Sequence, residues 1–190
     1  MNKPFNDPPV ETLVEQHLIQ EGTVLDLRLK YIGDEGMEYL AQCAELVNVR
    51  ELKLERNEIT CKGIRALANS TMMIGLVSLN LERNSIGDEG ARMIARSPNF
   101  SHLKSLNLWQ NEVGPDGAKA IAESVMLLNL ERLDLAQNKV GDEGGKALAE
   151  SDTLTALKYV DLFGNKISPE AQAVIKESPT FKNLQHLVLE

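Results

Sequence analysis

Leu76-Val77-Ser78-Leu79-Asn80-Leu81-Glu82-Arg83-Asn84-Ser85-Ile86 is the stretch that decides the fold. Its key positions read Leu-x-x-Leu-x-Leu-x-x-Asn-x-Ile, and the pattern returns 27 residues later as Leu103, Leu106, Leu108, Asn111 and Val113. Two more steps give Leu130, Leu133, Leu135, Asn138, Val140 and then Leu157, Val160, Leu162, Asn165, Ile167. One step back gives Val49, Leu52, Leu54, Asn57 and Ile59. A fixed period between about 20 and 50 residues marks stacked units, none of which can bury its apolar face alone. The expected architecture is a solenoid.

Each unit contains two periodicities. Leu52-x-Leu54, with Glu51, Lys53 and Glu55 between and around, alternates with period two and reads as a short strand with its leucines inward. The asparagine column (Asn57, Asn84, Asn111, Asn138, Asn165) follows where the chain leaves the strand. An inward amide there can satisfy backbone groups of its own turn and of the neighbouring unit.

The rest of the unit reads as a helix on the outer, convex side. Gly33, Thr60, Gly87, Gly114, Gly141 and Ser168 form a column of accepted N-cap residues, and Pro115 and Pro169 suit the first helical position. Acidic residues crowd the same turn (Asp34, Asp88 and Asp142 among them), where the dipole of their own helix favours negative charge. Gly36, Gly63, Gly90, Gly117 and Gly144 read as close-approach positions against the strand layer, replaced by Ala171 in the last unit. Ser70, Ser97, Ser124, Ser151 and Ser178 end the helices, and Leu46, Met73, Phe100, Leu127, Leu154 and Phe181 return the chain to the core.

The two ends depart from the pattern. Residues 1–22 read as a tail and a capping helix, with disorder expected over 1–6, Asp7 as N-cap and Pro8 as first helical residue. Val10, Leu13, Val14, His17 and Leu18 make its apolar face, with His17 in a packing role, and Gly22 is placed to end it. Residues 23–190 form the repeat domain, six repeats plus a terminal strand. The first repeat keeps Leu25, Leu27, Ile32 and Gly36 but has Lys30 in the asparagine column. The last segment, Leu184, Leu187 and Leu189, is a strand without a helix after it. A bare edge of that kind invites pairing with another chain, so a homodimer through the C-terminal edge strand is one expectation.

LxxLxLxxN followed by Ile-Gly-Asp-Glu-Gly and a Leu-Ala-ending helix resembles leucine-rich repeats of the ribonuclease-inhibitor type, over Thr23 to Glu190. The resemblance implies an α/β fold: a right-handed leucine-rich-repeat solenoid, horseshoe-shaped, with a parallel concave β-sheet and convex helices. The repeats are also similar to those of some bacterial proteins and of Ran GTPase-activating protein. That likeness gives an alternative, a GTPase-activating protein of the Ran GTPase-activating type. A structural or self-assembling scaffold is the other. A fold of this kind does not fix function, which has to be argued from the site.

Composition narrows the classes. A net charge of -8, from 28 acidic and 20 basic residues, argues against a nucleic-acid partner and against docking on anionic lipid. No apolar run approaches the ~20 residues of a membrane helix, and the first residues lack a signal-peptide core. Cys43 and Cys61 read as two thiols of a cytoplasmic protein, without the Cys-x-x-Cys or Cys–His spacing of zinc or redox sites. The Gly-Asp-Glu-Gly segments lack the alternating ligands of a calcium loop. His17, His102 and His186 have no nucleophile at motif spacing, and no glycine loop cradles phosphate. The expectation is a non-enzymatic protein, with no cofactor, no metal and no catalytic residue.

Function then rests on outward strand positions. The first column reads Val24, Glu51, Ser78, Ser105, Arg132, Tyr159, His186; the middle one Asp26, Lys53, Asn80, Asn107, Asp134, Asp161, Val188; the third Arg28, Glu55, Glu82, Trp109, Ala136, Phe163, Glu190. Strands ~4.8 Å apart make each column a ladder, which puts Trp109 and Phe163 roughly 10 Å apart across small Ala136. Asp134 and Asp161 edge that slot. Trp109, Arg132, Asp134, Tyr159, Asp161 and Phe163 are therefore the expected partner-binding residues, for a protein with a basic or apolar anchor side chain. The plainer reading is that Trp109 and Phe163 only cover the sheet.

Overall fold

The structure, a computed structural model, describes residues 8–190. The tail expected over residues 1–6 and the N-cap expected at Asp7 lie outside the described residues. The chain begins with helix α1 (Val10–His17), then β1 (Leu18–Ile19) and β2 (Val24–Asp26). Strand and helix then alternate: α2 (Gly33–Gln42), β3 (Glu51–Lys53), α3 (Cys61–Ala68), β4 (Ser78–Asn80), α4 (Gly87–Arg96), β5 (Ser105–Asn107), α5 (Pro115–Ala122), β6 (Arg132–Asp134), α6 (Gly141–Ala149), β7 (Tyr159–Asp161), α7 (Pro169–Lys176) and β8 (His186–Val188).

The strands form one sheet in sequence order, and β2 to β8 are parallel. Register follows the repeat, so that Leu52 pairs Leu79, Leu79 pairs Leu106 and Leu106 pairs Leu133. Stacking like on like makes one continuous aliphatic core, in which the leucines of the opening stretch (Leu76, Leu79, Leu81) are 0% exposed. The fold is the leucine-rich-repeat solenoid, with the sheet on one side and the helices on the other.

The N-terminal cap differs from expectation in three ways. Helix α1 starts at Val10, with Pro9 in the N-cap position. It ends at His17, and Leu18 belongs to β1. Gly22 (φ +81°) does not end the helix; with Gln20 and Glu21, also left-handed, it closes the turn that brings β1 antiparallel to β2. That reversed strand occupies the first sheet edge, and Val24, expected on the outer face, is buried.

The asparagines join the units. Asn138 Oδ1 accepts the N–H groups of Asn111 and Val113 in the preceding unit, both at 2.9 Å. Its Nδ2 donates backward to Leu108 O (2.8 Å) and within its own unit to Leu135 O (2.8 Å) and Ala136 O (3.2 Å). Asn57, Asn84, Asn111 and Asn165 reach back in the same manner. Lys30 is accommodated in this column because no repeat stands before the first to present unsatisfied backbone groups. A second ladder runs along the helix ends, where the hydroxyls of Ser70, Ser97, Ser124 and Ser151 donate to the carbonyls of Ala41, Ala68, Ala95 and Ala122 at 2.5–2.6 Å. Cys43 holds this position in the first repeat.

The loops alternate with a period of two units. In the first, third and fifth, Gly33, Gly87 and Gly141 are left-handed (φ +59°, +61° and +63°), a conformation that a Cβ disfavours. Their N–H groups donate to the carbonyls of Asn57, Asn111 and Asn165 in the next unit. In the other three, Thr60, Gly114 and Ser168 are extended N-caps, and Glu58, Glu112 and Lys166 two residues earlier are left-handed, as is Tyr31 in the first unit. Only half of the expected N-cap column therefore caps. The helices of the odd units are preceded instead by Ile32, Ile86 and Val140.

This alternation reassigns three aspartates. Asp34 Oδ1 accepts the N–H groups of Thr60 (2.8 Å) and Gly63 (2.9 Å), so it caps the helix of the following unit, where its own helix was the expectation. Asp88 does the same for Gly114 (2.6 Å) and Gly117 (2.9 Å). The glycines are needed for that reach, since a Cβ on Gly63 or Gly117 would stand 2.7 or 2.6 Å from the aspartate oxygen. In the last pair Ala171 replaces the glycine; Asp142 then bonds Ser168 alone among the described residues, accepting from its N–H and hydroxyl, and Ser168 Oγ accepts from Ala171 N–H.

Asn138→Ala leaves buried N–H and C=O groups open in two units, and is expected to cost about 3 kcal/mol or more in urea unfolding. Asp142 is held below the usual aspartate range, first by the Ser168 N–H and then by the Ser168 hydroxyl. A folded-state pKa below the unfolded one gives stability that is present above about pH 4 and lost as pH falls further. Asp142→Asn should therefore flatten the acid limb of a stability–pH curve below about pH 4, with its neutral limb keeping its slope.

Candidate interaction face

The outward side of the sheet carries its charges in two different arrangements. Over β2 to β4 they are largely paired. Arg28 donates twice to Asp26 (2.8 and 2.7 Å), which lowers the Asp26 pKa, and Lys53 lies 3.3 Å from Glu51. Glu55 Oε1 accepts from Asn80 Nδ2 at 2.9 Å, while its Oε2 is buried without a hydrogen-bond partner among the described residues. Burial pushes the Glu55 carboxyl up, and Glu82 is raised for the same reason.

From β5 onward aromatic rings take the cations. The Arg83 guanidinium lies over the Trp109 ring, 4.9 Å from its centroid, and also 3.9 Å from Glu82. The Arg132 guanidinium lies over Tyr159 at 3.6 Å. Tyr159 Oη donates to Asp161 Oδ2 at 3.1 Å, and its ring packs tilted against His186 with centroids 6.3 Å apart. Burial is the first cause of a raised Tyr159 pKa, followed by the Asp161 charge. Asp134 is raised too, by burial first and then by the neighbouring Asp161 charge.

The middle column shapes the backbone as well as the surface. Asn80, Asn107, Asp134 and Asp161 each accept, through Oδ1, the N–H two residues on, at 2.9–3.0 Å. This side-chain mimic of a turn bends the chain off the strand toward the asparagine ladder. It also fixes the third column, because Trp109, Ala136 and Phe163 follow directly from it.

The six residues singled out from sequence fall on β5 to β7 or on the turns that follow them, and the structure groups four of them, with Asp134 the register partner of Asp161. Arg132, Tyr159 and Asp161 form one contact chain. Trp109 and Phe163 stand on either side of Ala136, which is buried, while Phe163 is 45% exposed. The Trp109 ring is not vacant: it carries Arg83, which the three columns did not include. Arg83 sits beside the asparagine ladder in left-handed backbone (φ +54°) and donates its N–H to the Trp109 carbonyl at 2.8 Å. Arg83 and Trp109 are 26 residues apart, one short of the repeat, so a reading by columns passes over the pair.

Arg132 and Tyr159 should be coupled by about 0.5–1 kcal/mol in a double-mutant cycle of Arg132→Ala and Tyr159→Leu, read from urea unfolding. Additive single effects would mean that the guanidinium only passes over the ring.

Among the described residues no group of three or more His, Cys, Asp and Glu side chains is placed to hold a metal ion, and no helix is long and apolar enough to cross a membrane. The family model for the Leucine Rich repeat matches residues 46–68, 76–95, 101–122 and 127–149, four successive strand-and-helix units. Among solved structures, an internalin from Listeria monocytogenes aligns with a TM-score of 0.55 and 22% identity over 77% of this chain and 36% of its own. The present chain thus spans about a third of that protein, and the likeness is one of fold. The Rad7 and Elc1 complex of yeast aligns over 95% of this chain and 66% of that one at 14% identity, with a TM-score of 0.36. No curated protein matches the sequence.

Proposed function

We propose that this leucine-rich-repeat solenoid is a non-enzymatic module that holds a protein partner on its sheet face, through Trp109, Arg132, Asp134, Tyr159, Asp161 and Phe163. The observation that carries the reading is where the aromatic residues lie. Phe100 and Phe181 are in the core, as the packing of an aliphatic solenoid requires, but Phe163 is 45% exposed beside a half-buried tryptophan and tyrosine. Large rings on a surface, with arginine beside them, match the composition of interface hot spots. The rigid ladder beneath them favours binding, because side chains fixed in advance lose little freedom on association. Cys43 and Cys61 are free thiols, in keeping with a cytoplasmic site of action.

Affinity capture from the source proteome tests this. Proteins retained by the native chain and by Val125→Ser, a substitution at an exposed site among the helices, should be lost with Trp109→Ala and with Phe163→Ala. The melting temperature of both face variants should stay within about 4 °C of the native value. Retention by both, or loss accompanied by a larger drop in melting temperature, would make the rings packing residues and overturn the reading.

A further inference from the structure

The choice of aspartate at 134 and 161 is not explained by the fold. The turn that each makes, accepting the N–H two residues on, is made equally well by the neutral amides of Asn80 and Asn107 in the same column. Asp26 also carries a charge there, but Arg28 neutralises it with two hydrogen bonds. Asp134 and Asp161 are register partners on adjacent parallel strands, ~4.8 Å apart at the backbone. Like charges directly opposite one another destabilise a sheet. Arg132 lies over the Tyr159 ring, bonds neither carboxylate, and offsets the Asp134 charge only in part. Asp161 Oδ2 has the Tyr159 hydroxyl, whereas Asp134 Oδ2 has no hydrogen bond or ion pair among the described residues.

The rings show a matching vacancy. Trp109 and Tyr159 each carry a guanidinium from this chain, and Phe163, the exposed ring next along the face, carries none among the described residues. The chain itself therefore shows what these rings accept. Two carboxylates held together at a cost, one of them with a free oxygen, lie beside a ring open to a planar cation.

We infer that the face between Trp109 and Phe163 takes one arginine side chain from a basic segment of a partner protein, its charge against Asp134 and Asp161 and its plane on Phe163. This rests on the reading of the sheet face as a protein-binding surface and names what the partner brings. Arginine fits better than lysine because its flat, weakly hydrated guanidinium can stack on a ring while its N–H groups bond carboxylates. A net charge of -8 on the chain adds long-range attraction for a basic segment.

The test titrates the full chain with acetylated tetra-arginine amide, tetra-lysine amide and tetra-citrulline amide, followed by amide and indole NMR shifts. Tetra-arginine should shift the signals of residues 134–136 and 161–163 and the Trp109 indole saturably, and more tightly than the other two peptides. Asp134→Asn/Asp161→Asn keeps the turn and should weaken tetra-arginine on the order of tenfold, as loss of charge-assisted hydrogen bonds does. The control Asp116→Asn/Glu123→Gln removes two charges on the helical side and should change affinity less than about twofold. The same Asp134→Asn/Asp161→Asn variant should melt higher than the native chain, because a repelling pair is gone.

Equal weakening by the control would reduce the effect to net charge, and equal affinity for tetra-lysine or tetra-citrulline would remove the guanidinium; each overturns the inference. So does a fall in the melting temperature of the double variant, which would make the two charges structural. A captured protein that is lost with Trp109→Ala but kept by Asp134→Asn/Asp161→Asn would leave the face a binding surface and sink the arginine alone.

Discussion

The structure depends on the need to satisfy backbone polar groups where each strand turns into its outer segment. These N–H and C=O groups are buried between units, out of reach of water, and a buried group without a partner costs about 1–3 kcal/mol. One carboxamide per unit meets the need in both directions. Asn84 accepts from Asn57 and Ile59 behind it and donates to Leu54 behind and Leu81 within its own unit. No other side chain of that size supplies an acceptor and two donors. The leucines supply most of the apolar burial, but leucine contacts are non-directional and would tolerate slippage. The amides fix the register in which residues stack.

Alternation of the loops shows a finer coupling on top of this. Because a left-handed glycine in one unit sends its N–H forward, and an aspartate one residue later caps the next helix, the first unit is tied to the second and the third to the fourth. Between the second and third the bond is a backbone one, from Ser85 N–H to Ile59 O. Charge-assisted contacts within pairs thus alternate with neutral ones between pairs. The arrangement leaves the outward strand positions without a framework duty, apart from the middle column, and these are the positions where the units differ from one another.

On that face, the balance between pairing and exposure changes along the stack. In the early units some carboxylates find cations close along the chain, as Asp26 finds Arg28, while Glu55 is desolvated by burial. In the later ones the cations lie over rings, and Asp134 is desolvated beside the Asp161 charge, which Arg132 offsets only in part. Desolvation of a charge is costly, so a further cation brought against Asp134 would be favoured there.

The repeat length, the strand and helix positions, the parallel order and the inward leucines were all determined by sequence, because each follows from spacing, and spacing is preserved when identical units stack. Trp109, Asp134, Tyr159, Asp161 and Phe163 could likewise be placed on one face, since outward columns are set by the same arithmetic. What the sequence did not carry was conformation inside the loops. Gly87 and Gly114 share the N-cap column, yet one is left-handed and the other extended; Pro115 biases Gly114 toward extended backbone, which the column alone does not show. For that reason Asp88 reads as a charge on its own helix and is found capping the next. Arg83 reaches Trp109 through a backbone turn that no column describes. The reversed strand at the N-terminus also escaped, because the two residues of Leu18–Ile19 are too short for a period and extend an apolar helical face equally well. Periodicity is a property of the chain, whereas the direction of a side chain leaving a loop is decided by which neighbour it meets.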